Sequence, residues 1–248
     1  MIAHGAVVPH ALVLLEAIQP SLDEGRRVRK AVSELDFSEA EVVVIVSAHG
    51  PRSGVYERVE GSLHGFGIEG LEVVRDTDAE LVRSLVDAWG HAPVTGPVDF
   101  GVVVPLLLGV GDGLPVVAVT LPQTAGPKRA AMPVALDAAR TLSEALRTVA
   151  DGRDVAVVAS AHASAGLTSR APLTKVPGAT DVDRELVEVL EEDPGLVEGL
   201  LARLHGTGDA CGVGPLAVIA RLFGGWKSEG ITYEAPYGVG YLVGQWTT

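Results

Sequence analysis

The sequence holds one cysteine, Cys211, so no disulfide can close within the chain, and a reducing, cytoplasmic setting is expected. Aromatic residues are scarce at 4%, which leaves Val, Leu and Ala to fill the interior. Positive charge is in deficit: 19 Lys and Arg stand against 32 Asp and Glu, a formal net charge of −13. That balance repels phosphate backbones, and no Lys/Arg stripe reverses it locally, so nucleic acid is not an expected partner. No clean apolar run is long enough to span a bilayer. Residues 98–121 come nearest, but they carry Asp99, Asp112, Pro105, Pro115 and several glycines. A membrane is therefore not an expected partner either. The apolar start of the chain has no basic segment before it and runs into Pro9-His10, so it reads as a strand and not as a secretion signal.

What is present has the alternation of an α/β protein. Short apolar runs bounded by Gly, Pro or polar residues predict strands at 2–8, 42–47, 116–121, 155–160 and 241–244. Segments of helical period lie between them at 22–35, 79–89, 128–149, 182–190, 195–204 and 214–223. Thr77-Asp78 and Thr180-Asp181 offer N-caps to two of these. The pattern predicts one domain over 1–248, with a mostly parallel or mixed central sheet flanked by helices on both faces. No repeat, low-complexity tract or linker divides it.

The chemistry-bearing residues fall at the strand ends. His10 follows the first predicted strand, His49 the second and His162 the fourth, and in a parallel sheet those ends share one edge, where open α/β sheets bind ligands. Glu234 lies in an apolar, glycine-bearing segment, where a charged carboxylate calls for a partner or a metal. Two imidazoles and one carboxylate on one face of an ion leave coordination positions open, the arrangement of non-haem Fe(II) oxygenases. His4 reads as a core residue, His64 as a solvated loop residue and Cys211 as a buried thiol ahead of a helix. Gly238 and Gly240 read as sites of a tight turn or close backbone approach beside Glu234.

An ordered set of motifs carries a resemblance over nearly the whole chain. They are Ala6-Val7-Val8-Pro9-His10, Val43-Val44-Ile45-Val46-Ser47-Ala48-His49-Gly50-Pro51, Asp99-Phe100-Gly101-Val102-Val103-Val104-Pro105, Val157-Val158-Ala159-Ser160-Ala161 and Glu234-Ala235-Pro236-Tyr237-Gly238-Val239-Gly240-Tyr241-Leu242. In this order they resemble the catalytic-subunit family of class III extradiol ring-cleavage dioxygenases, which is related in fold to Memo-like proteins. The resemblance implies a non-haem Fe(II) dioxygenase that opens a catechol-type ring with O₂, with His10, His49 and Glu234 as metal ligands. Zn(II) and Mn(II) are the alternative ions, and a small aromatic diol is the implied substrate. Two positions depart from the family pattern. Phe100 stands where the family usually has a histidine, and Ala165 stands where it has its acid/base histidine, while His162 falls three residues earlier. His162 is accordingly the candidate catalytic base, acting from a relocated position and not as a ligand. Two other functions stay open: a metal-binding Memo-like protein without oxygenase activity, and a metal-dependent hydrolase in which the ion activates water. Self-association is left open as well.

Overall fold

A computed structural model describes residues 1–19, 25–50, 52–124, 130–169, 175–207 and 211–247. In chain order the elements are β1 (Ile2–Val8), α1 (Arg26–Ser33), β2 (Val42–Ser47), β3 (Gly54–Val55), β4 (Val59–Ser62), β5 (Glu72–Arg75), α2 (Ala79–Trp89), α3 (Phe100–Leu107), β6 (Val116–Thr120), α4 (Met132–Val149), β7 (Val155–Ser160), α5 (Ala179–Glu192), α6 (Leu201–His205), α7 (Val213–Phe223), β8 (Ile231–Glu234) and β9 (Tyr241–Thr247). Seven strands form one sheet in the order β3-β6-β2-β7-β1-β9-β8, and β4 with β5 makes a separate hairpin. The four central strands are parallel, while β3, β8 and β9 join antiparallel at the margins.

The valine-rich strands are buried along their whole length, as expected for a sheet covered on both faces. Their side chains alternate. Val42, Val44, Val46, Val155, Val157 and Ala159 enter one core with α2, α4, α5, α6 and α7. Val43, Ile45, Ala156 and Val158 enter the other with α1, α3 and the β4–β5 hairpin. One α/β unit with a mixed sheet between two helical layers is therefore the observed fold, in agreement with the sequence pattern.

Several local features differ from the sequence expectation. Helix α3 arises from an apolar, β-branched run that shows no helical period. Its start is set by Asp99, whose carboxylate accepts the Gly101 amide at 2.7 Å. Residues 195–204 divide into a 3₁₀ segment, Pro194–Gly199, and α6. Helix α5 begins at Ala179 after Gly178, whose φ is 81°, so Thr180 and Asp181 lie inside the first turn instead of capping it. Asp78 caps α2 as expected, accepting from the Leu81 amide at 2.9 Å. The expected helical positions 22–24 and 128–129 lie outside the described residues.

Candidate metal centre

Strands β2, β7 and β1 are neighbours in the sheet, and His49, His162 and His10 each stand two residues beyond the last residue of one of them. Parallel register aligns these ends: Val8 pairs with Ser160, and Val46 with Ala159. The three imidazoles are thus brought to one edge. The His10 ring lies 4.7 Å from that of His49 and 4.9 Å from that of His162, centroid to centroid. Their Nε2 atoms, in the case of His10 and His49, are 3.0 Å apart.

Hydrogen bonds settle which nitrogens carry protons. Ser160 Oγ donates its only proton to the Gly101 carbonyl, so it must accept from Nδ1 of His10, 3.0 Å away. The His162 Nδ1 atom lies 3.2 Å from the Ala163 carbonyl, which can only accept. Both rings therefore hold their proton on Nδ1 and present a bare Nε2, the state in which an imidazole binds a metal. Burial pushes the pKa of His10 well below its usual value, with His49 and His162 adding to the effect. Burial likewise lowers that of His162, against the opposing influence of the Ala163 carbonyl and Asp183.

Both bare nitrogens face Cys211, whose Sγ lies 3.3 Å from Nε2 of His10 and 3.2 Å from Nε2 of His162. The ligand atoms of His10, His162 and Cys211 all lie within 4.8 Å of one another, which makes this a cluster able to hold a metal ion. Donors about 2.0–2.3 Å from a tetrahedral ion stand about 3.3–3.8 Å apart. The two distances to Cys211 Sγ are close to that spacing.

The position of His49 is fixed by a polar pin. Ser47 Oγ donates to Asp99 Oδ1 at 2.8 Å and accepts the His49 amide at 3.2 Å. Tyr56 reaches the other carboxylate oxygen at 3.4 Å. Burial raises the Asp99 pKa, and the bonds from Ser47, Gly101 and Tyr56 act against that rise. Gly101 is required here: a Cβ would collide with Ser47 Oγ and come within 2.8 Å of Asp99 Oδ1.

Glu234 is placed differently from the two histidines expected to share its ion. It ends the edge strand β8, with Oε1 3.8 Å from Arg27 Nε, and it is not among the clustered donors. Its Oε2 is buried with no hydrogen-bond partner among the described residues. Glu234 pairs with Tyr241 across the β8–β9 ladder, and Tyr241 lines the same cavity as the three histidines. The structure thus groups His162 and Cys211 with His10 where the sequence reading grouped Glu234. Cys211 could not be singled out from the sequence, because its only signals are its rarity and a following helix.

The cavity beside the cluster measures about 230 Å³, with Leu12, Val13, Phe100, Val239 and Tyr241 around His10, His49 and His162. Phe100 packs on His49 with centroids 4.4 Å apart, and Phe66 stands 5.2 Å beyond it. A larger cavity of about 530 Å³ opens at the amino ends of the strands, beside Met1 and Arg153, but Arg153 is already paired with Asp78. His4 is buried in the sheet, and His64 is exposed and paired with Glu69, as expected of each. Gly238 has a φ of 75°. Ala165, where the resemblance would set a base, is packed in the core and only 5% exposed.

No family model matches the chain, and no curated protein matches it. Among solved structures, the crystal structure of the uncharacterized protein JW3007 from Escherichia coli K12 shares the fold with a TM-score of 0.60. The match covers 98% of this chain and 99% of that one at 15% identity. At that identity the likeness concerns the fold alone. No helix among the described residues is long and apolar enough to cross a membrane.

Proposed function

We propose that the chain is a metal-dependent enzyme of the extradiol dioxygenase type, acting on a small aromatic diol. The observation that carries this reading is the convergence of three imidazoles at one end of a small apolar cavity, with His10 Nε2 3.0 Å from His49 Nε2. His10 and His49 would hold the ion, and Glu234, whose buried Oε2 lacks a partner, would complete the ligand set. Fe(II) bound there would supply electron density to dioxygen. His162 would be the base: its Nδ1–H donates to the Ala163 carbonyl, which leaves the bare Nε2, beside Cys211 Sγ, to take a phenolic proton. General-base help of this kind contributes about 10²–10⁴-fold to rate. Phe100 and Tyr241 supply ring contacts in the largely apolar cavity.

Cys211 favours a second reading. A thiol beside two bare imidazoles is a soft donor set suited to Zn(II), in which His10, His162 and Cys211 hold the ion and the chemistry is hydrolytic or absent. Protein purified without oxygen and loaded separately with Fe(II) and Zn(II) separates the two. Ring-opened product from a catechol panel with Fe(II) alone supports the dioxygenase. Tight Zn(II) binding with no turnover of any diol supports the alternative.

A further inference from the structure

Asp183 is one of the few buried carboxylates of the described residues, 1% exposed, and the proposed chemistry makes no use of it. It lies on α5 in the apolar face formed with Ala179, Leu186 and Leu190, a place where an ionisable side chain persists only with dedicated partners. Its partners come from two different elements. Oδ1 accepts the Ser164 amide at 3.0 Å and also the Ser164 hydroxyl. Oδ2 accepts the Tyr233 hydroxyl at 2.6 Å. Ser164 is two residues beyond His162, and Tyr233 immediately precedes Glu234.

The surroundings leave the carboxylate no alternative place. The loop after β7 is laced to the approach of β9 by Ala163 N–H to the Gly240 carbonyl at 2.8 Å and Gly240 N–H to the Ser164 carbonyl at 2.9 Å. A Cβ at Gly240 would collide with Asp183 Oδ2, while standing 2.9 Å from Tyr233 Cε2 and 3.0 Å from Ala163 Cβ. On its other side the same loop is backed by Gly212, where a Cβ would come within 2.7 Å of the His162 carbonyl oxygen. Close packing thus holds the backbone of this loop at His162 and Ala163.

We propose that Asp183 is the positioning residue of the centre, its one carboxylate tying the loop that presents His162 to the strand that ends in Glu234. This rests on the second reading of the centre, in which His162 is a metal ligand beside His10 and Cys211. Groups that orient metal ligands without touching the ion typically change affinity by about 10–100-fold when removed. Asp183→Asn keeps the shape and one acceptor oxygen, whereas Asp183→Ala removes both.

The experiment titrates Zn(II) and Co(II) into the full chain, into both Asp183 variants and into Tyr233→Phe. Amide hydrogen exchange is followed over residues 161–167 in the metal-free proteins. Expected are affinities lowered by about 10–100-fold in Asp183→Ala, a smaller loss in Asp183→Asn and Tyr233→Phe, and a changed Co(II) ligand-field spectrum in each. Faster exchange at Ala163 and Ser164 is expected in the metal-free variants. Unchanged affinity and spectrum in both Asp183 variants would overturn the proposal. If the parent binds neither ion, the metal reading fails by itself. Unchanged exchange at Ala163 and Ser164 then overturns the positioning claim as well, and faster exchange upholds it as a claim about the loop. Should the Asp183 variants not fold, Tyr233→Phe and Ser164→Ala carry the same two measurements.

Discussion

Nε2 of His10 lies 3.3 Å from Sγ of Cys211, although 201 residues separate the two in the chain. That contact puts the only thiol of the protein against a bare imidazole nitrogen. Cys211→Ser is nearly isosteric at a buried position, so the fold should persist. Zn(II) affinity is expected to fall about tenfold or more, where tenfold corresponds to about 1.4 kcal/mol. The sulfur-to-Co(II) charge-transfer absorption should disappear. Equal Zn(II) affinity in parent and variant, measured by calorimetry, would remove Cys211 from the ligand set.

His49 and Glu234 divide the two readings of the centre. His49→Ala should weaken metal binding in a dioxygenase site at least about tenfold, because one of its nitrogen ligands is gone. If Glu234 is a metal ligand, Glu234→Gln should abolish diol turnover with Fe(II); if His10, His162 and Cys211 hold the ion, it should leave Zn(II) affinity nearly unchanged, since Glu234 stands apart from them. Full diol turnover by Glu234→Gln would rule the carboxylate out as an iron ligand.

The metal-free protein should lose stability on mild acidification. Burial holds the pKa values of His10 and His162 below the ordinary value in the folded state. Below about pH 6.5 the unfolded chain takes up protons that the folded chain refuses. Stability from these groups is therefore present at neutral pH and is lost as pH falls toward the lowered folded values, with a slope of up to about 1.4 kcal/mol per pH unit for each histidine. Asp99 and Asp183 act with the opposite sign, because burial raises them. Their contribution is present below about pH 4 and is lost as pH rises through their folded values. Urea midpoints taken from about pH 7.5 to pH 5 should decrease, and less steeply in His162→Gln; parallel curves would show that His162 is not held neutral.

Placing a histidine at Ala165, where the resemblance would set a base, is not expected to help. Ala165 is 5% exposed and packed among core residues, so Ala165→His should overpack the site and destabilise the fold by about 1–3 kcal/mol without raising turnover. Phe100→His, by contrast, enters the cavity beside His49 and should be accommodated. Thermal midpoints and catechol turnover of the two variants, measured side by side, test the difference. A stable, faster Ala165→His protein would show that the loop can open.

Strand–helix alternation and the apolar composition of the strands were sufficient to specify the α/β class, because both periods are written locally. The placement of His10, His49 and His162 at three strand ends was legible for the same reason: parallel strands share an edge whatever their order. Helix α3 was not legible, since Val102, Val103 and Val104 oppose a helix by propensity and only Asp99 and the surrounding core impose one. Nor could the sequence say that β7 sits between β1 and β2, which is what brings His162 against His10. Glu234 shows the limit most clearly. Its apolar segment called for a partner, and only the place of β8 at the sheet edge decided that Arg27 stands beside it. Contacts such as Cys211 with His10, and Asp183 with Ser164 and Tyr233, join elements far apart in the chain. They exist because the crossovers, the sheet order and close packing put those elements together, and no local pattern encodes that.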